Sequence, residues 1–283
     1  MKKIRLVTVT GSRTNTLWHM LNHYKDIVDE IYIVVYEWEG FSTYSEISNI
    51  LVNFPNAKIV RREVKEKFNW EYVTQLYNET KLMHPNDWWV VSDDDEFHVY
   101  SQPLSYIVED CEINGWELVR GGFIDRIGEN GVFPVIEPYK NIFKQFPLAG
   151  FFRYPMSEAC PNKVCIMKGN IEITAGQHYA KINGHSTWRW HGWNHPLIAP
   201  IDKYNVQVHH FKWDSTCVDR IKTVADERKP YAFSAEYLKM YQAIRSNNFE
   251  IDVNNSEYGF ENISDDYNGY TQWDNLLKKI ISI

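Results

Sequence analysis

Residues Ile4–Thr10 form a β-branched run closed by Gly11, and from Asn15 to Tyr24 apolar side chains recur at Leu17, Met20, Leu21 and Tyr24, the spacing of one helix face. The pattern then repeats. Ile31–Tyr36 reads as a second buried strand, Tyr44–Phe54 as a helix with Ile47, Ile50 and Leu51 inward, and Ala57–Val60 as a third strand. Trp70–Met83 follows as a helix stopped before Pro85, and Trp88–Ser92 as a fourth strand. Near-continuous apolar strands alternating with amphipathic helices predict an α/β fold with a mainly parallel sheet covered on both faces by helices.

Beyond Leu118–Phe123, read as a strand, the periodicity becomes irregular and rich in Gly, Pro, Trp and His as far as Pro200. Val206–Trp213 returns as a strand, Cys217–Glu227 and Ala235–Ser246 as helices, and Asn247–Asn268 is polar enough to predict loose order. No internal repeat or low-complexity linker divides the chain. The net charge of -7 argues against broad phosphate contacts with nucleic acid, although Arg61, Arg62, Lys65 and Lys67 form a local basic strip. No apolar run approaches the roughly 20 residues of a membrane span. The start, Met1-Lys2-Lys3-Ile4, leads into a strand pattern instead of a signal-peptide apolar stretch, which predicts a cytoplasmic protein. The four cysteines are too few and scattered for a disulfide framework, and the Cys160/Cys165 pair lacks the second pair a structural zinc requires.

The most chemically distinctive segment is Trp88-Trp89-Val90-Val91-Ser92-Asp93-Asp94-Asp95-Glu96-Phe97, an apolar run that ends in four consecutive acids. Adjacent carboxylates at the edge of an apolar core call for a neutralising cation, most simply a divalent metal. In open sheets, ligands bind beyond the carboxyl ends of the strands, where Thr10–Thr14, Glu37–Gly40 and Asp93–Glu96 all fall. On an extended chain Asp93 and Asp95 face the same side. Mg²⁺ or Mn²⁺ takes one or two such carboxylates and completes its shell with phosphate oxygens and water, so a diphosphate suits the site. The competing reading is an acidic solvent turn.

With Asp93-Asp94-Asp95-Glu96-Phe97 following three strand–helix units, the chain resembles the GT-A glycosyltransferases, particularly family-2-like branches that carry an Asp-x-Asp-Glu-Phe signature. The resemblance covers about residues 1–215. It implies a GT-A, Rossmann-like domain over 1–215, with a nucleotide-binding half (1–100) and an acceptor and metal half (101–215), followed by a helical C-terminal appendage (216–283). It also implies that Asp93 and Asp95 meet the donor ribose and a divalent metal, with Asp94 beside them. A further metal ligand would come from Val206–Trp213, at His210 in preference to His209, because neighbouring strand residues face opposite sides. Lys212 shares a face with His210 and would neutralise a departing diphosphate. The resemblance sets Thr10 and Arg13 against the base and ribose and Glu37 near the base.

The acceptor side is expected from the irregular middle. Asp125 is the candidate general base of an inverting transfer, with a salt bridge to Arg126 as the competing explanation. Substrate contacts are expected from the Trp- and His-rich stretch containing His185, Trp188, Arg189, Trp190 and His191, whose aromatic rings suit a sugar face or, alternatively, simple packing. The expected activity is transfer of a sugar from a nucleotide-diphosphate sugar, a UDP-sugar in first place, to a hydroxyl on a glycan, lipid, protein or hydroxylated nucleobase. Rival readings are a sugar nucleotidyltransferase, whose Gly-x-Gly-Thr-Arg loop is here only Thr10-Gly11-Ser12-Arg13, and a non-enzymatic carbohydrate-binding protein whose acids hold Ca²⁺. An aspartyl phosphohydrolase fits less well, because Phe97 stands where Thr or Val is expected.

Overall fold

A computed structural model describes residues 2–187, 195–204, 206–227 and 233–282. The elements run β1 (Ile4–Thr10), α1 (Leu17–Tyr24), β2 (Glu30–Trp38), α2 (Tyr44–Leu51), β3 (Ala57–Lys65), α3 (Trp70–Lys81), β4 (Trp88–Val91), β5 (Glu96–Val99), α4 (Leu104–Asn114) and β6 (Leu118–Ile127). They continue through α5 (Ile142–Gln145), β7 (Leu148–Gly150), α6 (Arg153–Ser157), β8 (Asn162–Lys168), β9 (Glu172–Ile173), β10 (Ala180–Ile182) and β11 (His185–Ser186). The last are β12 (Val206–His210), α7 (Cys217–Glu227), α8 (Phe233–Ser246), β13 (Glu261–Asn262) and α9 (Trp273–Ser282). The fold is mixed α/β and Rossmann-like in its first half, with sheet strands interleaved by helices and a helical C-terminal region. The chain divides into two compact units, one of residues 1–121 and 162–206, the other of residues 122–161 and 207–283.

In the first unit, β4, β1, β2 and β3 lie side by side, all parallel, as the strand–helix alternation predicts. β1 and β2 are buried almost throughout, the signature of a sheet covered on both faces. Val7, Tyr32, Tyr77, Trp89 and Val91 share one core with Val164 and Met167 of β8. β8 pairs antiparallel with β4, so the sheet turns mixed at this point. The third strand runs on past Val60 to Lys65, because at an edge the charged residues Arg61–Lys65 can face water while their backbone still pairs with Val34–Trp38. A small separate sheet joins β9, β10 and β11, and the β10–β11 hairpin turns on Asn183 and Gly184, both with positive φ.

In the second unit, the end of β6 pairs antiparallel with β7, and β7 with β13. Ile127, Phe152, Trp213, Cys217, Ile221, Met240, Ile244 and Ile251 form its core. Residues 247–268, polar enough to predict loose order, are instead tied in. The Phe151 amide donates to the Tyr258 carbonyl at 2.7 Å, the Ile251 amide donates to Gly131, and Ile263 is buried.

Lys81, at the end of α3, is fully buried, with Nζ donating to the Ile171 carbonyl and lying 3.3 Å from Met167 Sδ. Burial pushes its ammonium down to about 7 from the ordinary 10.5. The unfolded chain therefore binds more protons between these two values, and stability should rise with pH across that window. Lys81→Met is expected to flatten the rise. Urea unfolding at pH 7, 8.5 and 10 checks it, and an equal slope in both proteins would refute the assignment.

Candidate functional site

The acid segment sits at the carboxyl end of β4, beside the loop that leaves β1, and both features belong to the first unit. The acids do not continue the strand. The Glu96 amide donates to the Asp93 carbonyl at 3.1 Å and closes a turn, so strand alternation does not decide which carboxylates face together. Each acid instead has its own partner. Asp93 Oδ1 accepts from the Tyr77 hydroxyl at 2.6 Å, Asp94 Oδ2 accepts from the Thr10 hydroxyl at 2.6 Å, and Asp95 is paired with Arg13. Asp93 keeps 36% of its side chain exposed, whereas Asp94 and Asp95 are buried. Burial pushes the Asp94 carboxyl up to about 6, and the Arg13 charge opposes that rise.

Glu96, only 3% exposed, faces Lys163 of β8, whose Nζ lies 2.7 and 2.6 Å from its two oxygens. The same ammonium lies 3.6 Å from Asp93 Oδ2 and donates to the Gly176 carbonyl at 3.3 Å and to Gln177. Burial opposes this charge, yet Glu96 and Asp93 more than offset it and hold Lys163 above the ordinary lysine range. Ser92 ties the turn from inside, donating to the Glu96 carbonyl at 2.5 Å, and the Tyr77 hydroxyl, which accepts from the Val9 amide at 3.2 Å, joins β1 to it. Lys163 is a site residue absent from the sequence expectations, where it falls between Cys160 and Cys165. The available signal was a lysine opening the apolar run Val164–Met167, which in a buried strand demands a carboxylate.

Glu37 is buried at the end of β2 and accepts from the Thr43 and Tyr44 amides at 2.6 and 2.9 Å, the first donors of α2. Its other oxygen accepts from Arg62 Nε at 2.9 Å. Burial would raise its pKa, but the Tyr44 amide, Arg62 and the Thr43 amide hold it below the usual carboxylate range. Glu37 thus caps a helix and spaces the β1 and β2 loops, with Thr43 Oγ1 donating to the Gly11 carbonyl at 2.9 Å. Gly11 is required there: a Cβ would lie 1.9 Å from the Tyr36 carbonyl oxygen. Glu37→Ala is expected to lower stability by about 2 kcal/mol through the lost cap and unpaired amides. Glu37→Gln should lose less. Equal urea midpoints for Glu37→Ala and the parent would contradict the capping role.

Of the remaining sequence-predicted residues, Asp125, His209, His210 and Lys212 belong to the second unit. Asp125, 1% exposed in the second unit, accepts from Trp213 Nε1 at 3.0 Å and from the Arg153 amide at 2.9 Å. His210 Nδ1 is 3.6 Å from Asp125 Oδ1. Burial would raise the Asp125 pKa, but His210 and Arg153 hold it below the usual range. With both oxygens engaged, Asp125 is arranged as an anchor for Trp213 and His210. Arg126 is not its partner and donates instead to the Phe143 and Phe146 carbonyls. His209 Nε2 lies 3.1 Å from Gln207 Oε1. Lys212 is buried, with its ammonium over the Tyr237 ring at 4.3 Å. His185 is exposed on the β10–β11 hairpin, whereas Trp188, Arg189, Trp190 and His191 lie outside the described residues. Among the described residues no group of three or more His, Cys, Asp or Glu side chains is arranged to hold a metal ion, and no helix is long and apolar enough to cross a membrane.

Parallel strands whose carboxyl ends carry an acid turn and a Thr-Gly-Ser-Arg loop define a Rossmann-like α/β protein with a polar site at the sheet's carboxyl edge. No protein-family model matches the chain, and no curated protein does. Among solved structures it is similar to the first 349 residues of S. aureus TarS in complex with UDP-GlcNAc, at 15% identity over 99% of this chain and 81% of that one, with a TM-score of 0.37. It is also similar to 4-diphosphocytidyl-2C-methyl-D-erythritol synthase, at 16% identity over 60% and 76% of the two chains, with a TM-score of 0.32. A third similar structure is mannose-6-phosphate isomerase from Helicobacter pylori, at 16% identity over 59% and 71%, again with a TM-score of 0.32.

Proposed function

We propose that this protein is a glycosyltransferase of the GT-A type, moving a sugar from a nucleotide-diphosphate sugar, with a UDP-sugar as first choice, to a hydroxyl acceptor. The supporting observation is the meeting of two loops at the carboxyl ends of adjacent parallel strands, where Asp93, Asp94 and Asp95 stand beside Thr10 and Arg13. No three acids converge among the described residues, so the protein would offer a hard cation such as Mg²⁺ or Mn²⁺ two carboxylates at most, one of them partly exposed, and leave phosphate oxygens and water to complete its shell. Asp93 and Asp95 would hold it, and it would supply Lewis-acid neutralisation of the diphosphate.

The chain's own residues prepare that event. Lys163 and Tyr77 fix the Asp93 carboxylate, so its orientation does not have to be found anew on binding. Thr10 fixes Asp94 through its hydroxyl, and Arg13, held beside Asp95, is a cation placed where a diphosphate would need one. In the transfer the bond from the anomeric carbon to the diphosphate oxygen breaks, and its electron pair leaves with the diphosphate. The acceptor oxygen bonds the same carbon, and its proton passes to the departing diphosphate or to water.

A panel of UDP-, GDP- and dTDP-sugars, each with and without Mn²⁺, tests the reading by thermal shift and by release of nucleoside diphosphate. One donor should stabilise the protein and release its diphosphate faster with metal. Pyrophosphate release from a nucleoside triphosphate would indicate a nucleotidyltransferase, and sugar binding with no turnover of any donor would indicate a binding protein.

A further inference from the structure

At the carboxyl ends of β2 and β3, within the first unit, four aromatic side chains gather that the acid site does not use. The Phe41 amide donates to the Trp38 carbonyl at 2.9 Å, closing a turn in which Gly40 takes φ +90°, a conformation other L-residues rarely adopt. The turn folds Phe41 back to 4.6 Å from the Trp38 ring, with 40% of Phe41 exposed. Phe68 lies 5.0 Å from Trp38, and Trp70 lies 6.1 Å from Phe68. Trp38, Phe68 and Trp70 are only partly buried.

The support beneath these rings is fixed. The Asn69 amide donates to the Tyr36 hydroxyl at 2.8 Å, and that hydroxyl donates to the Lys67 carbonyl at 3.2 Å. The Asn69 side chain accepts from the Tyr72 amide at 2.9 Å and caps α3. Exposed charges of both signs flank the rings along the chain: Glu39, Glu66 and Glu71 against Arg62, Lys65 and Lys67. A polyanion would meet the acids and a polycation the lysines. A neutral polyhydroxylated ligand with apolar ring faces suits both the rings and the mixed charges.

Beneath the patch, Trp70 is linked to the acid turn through the interior. A Cβ on Gly176 would lie 3.6 Å from the Trp70 ring, and the Gly176 carbonyl accepts from Lys163, which holds Glu96. We propose that Trp38, Phe41, Phe68 and Trp70 form a stacking ledge for an uncharged oligosaccharide, so that the acceptor is a glycan chain several sugars long. This rests on the glycosyl-transfer reading for the word acceptor, and on the ledge alone for the binding.

The test is a set of ¹H–¹⁵N spectra of the tryptophan indoles, with Trp38 and Trp70 assigned by Trp→Phe variants, titrated with chitohexaose, cellohexaose, maltohexaose, glucose and UMP. At least one hexasaccharide should shift both indoles, at concentrations where glucose does not. The double variant Phe41→Ala/Trp70→Ala should weaken that binding by about 10-fold while leaving the donor thermal shift in place. Silence of both indoles toward all three hexasaccharides overturns the proposal, as does unchanged affinity in the double variant. Shifts with UMP alone would make the ledge a nucleobase site and overturn it too. Glycan binding without turnover of any donor would sink the transferase reading and leave the ledge standing, so the two failures are distinguishable.

Discussion

Lys163→Met should lower the unfolding free energy by about 3–5 kcal/mol, because it strands a buried carboxylate without its cation. Glu96 is 3% exposed, and its two oxygens lie 2.7 and 2.6 Å from Lys163 Nζ. Removing the ammonium also leaves the Gly176 carbonyl and Gln177 without that donor. Burial already pushes the Glu96 carboxyl up to about 8 against the pull of Lys163, so the loss should be greatest above that pH and partly recovered below it, where Glu96 protonates and no longer carries a buried charge. The double variant Lys163→Met/Glu96→Met should regain most of the stability, since an apolar pair in a buried site stands in well for an ion pair. Guanidinium unfolding of the parent, both single variants and the double variant completes the cycle. A coupling below about 0.5 kcal/mol would show that the pair does not organise the acid turn.

Asp95→Asn should reduce donor turnover by at least about 100-fold while the fold survives, because the amide keeps the carboxylate's shape and loses its charge. The loss should fall on kcat more than on thermal stability, since the amide oxygen can still accept from Arg13 in this largely buried pair. Asp94→Asn is the informative contrast. It keeps an acceptor for the Thr10 hydroxyl and removes only a carboxylate that burial already disfavours as an anion, so turnover should fall far less. Nucleoside diphosphate release at saturating donor, alongside circular dichroism to verify folding, measures both. Turnover of Asp95→Asn within twofold of the parent would refute the assigned site.

Much of the first unit was legible because hydrophobic periodicity reports local burial directly. Ile31–Tyr36 and Trp88–Val91 are apolar and buried throughout. Periodicity failed where burial and polarity part company. β6 is buried throughout yet contains Arg120, Asp125 and Arg126, and β8 is buried throughout yet contains Lys163 and Lys168. The end of β6 past Phe123 and the whole of β8 read as irregular because their charges are satisfied by residues far along the chain: Arg126 by carbonyls near Phe146, Lys163 by Glu96 and Lys168 by Glu112. The acid turn was legible as chemistry but not as geometry. The residues Asp93–Glu96 announce a charged site, but their division among Tyr77, Thr10, Arg13 and Lys163 depends on tertiary neighbours that no local pattern encodes.

The first unit is assembled from two separated stretches of chain, 1–121 and 162–206. During synthesis the parallel strands β1–β4 leave the ribosome well before β8, so one side of β4 and the carboxylate of Glu96 must wait for Asn162–Lys168 to emerge. A nascent chain halted near Gly121 would expose an open sheet edge beside an unneutralised acid, a form suited to chaperone capture or proteolysis. The same logic sets where the gene can be cut. A fragment ending at residue 121 would lack Lys163, whereas a split within 122–161 would leave two pieces able to restore the unit by complementation.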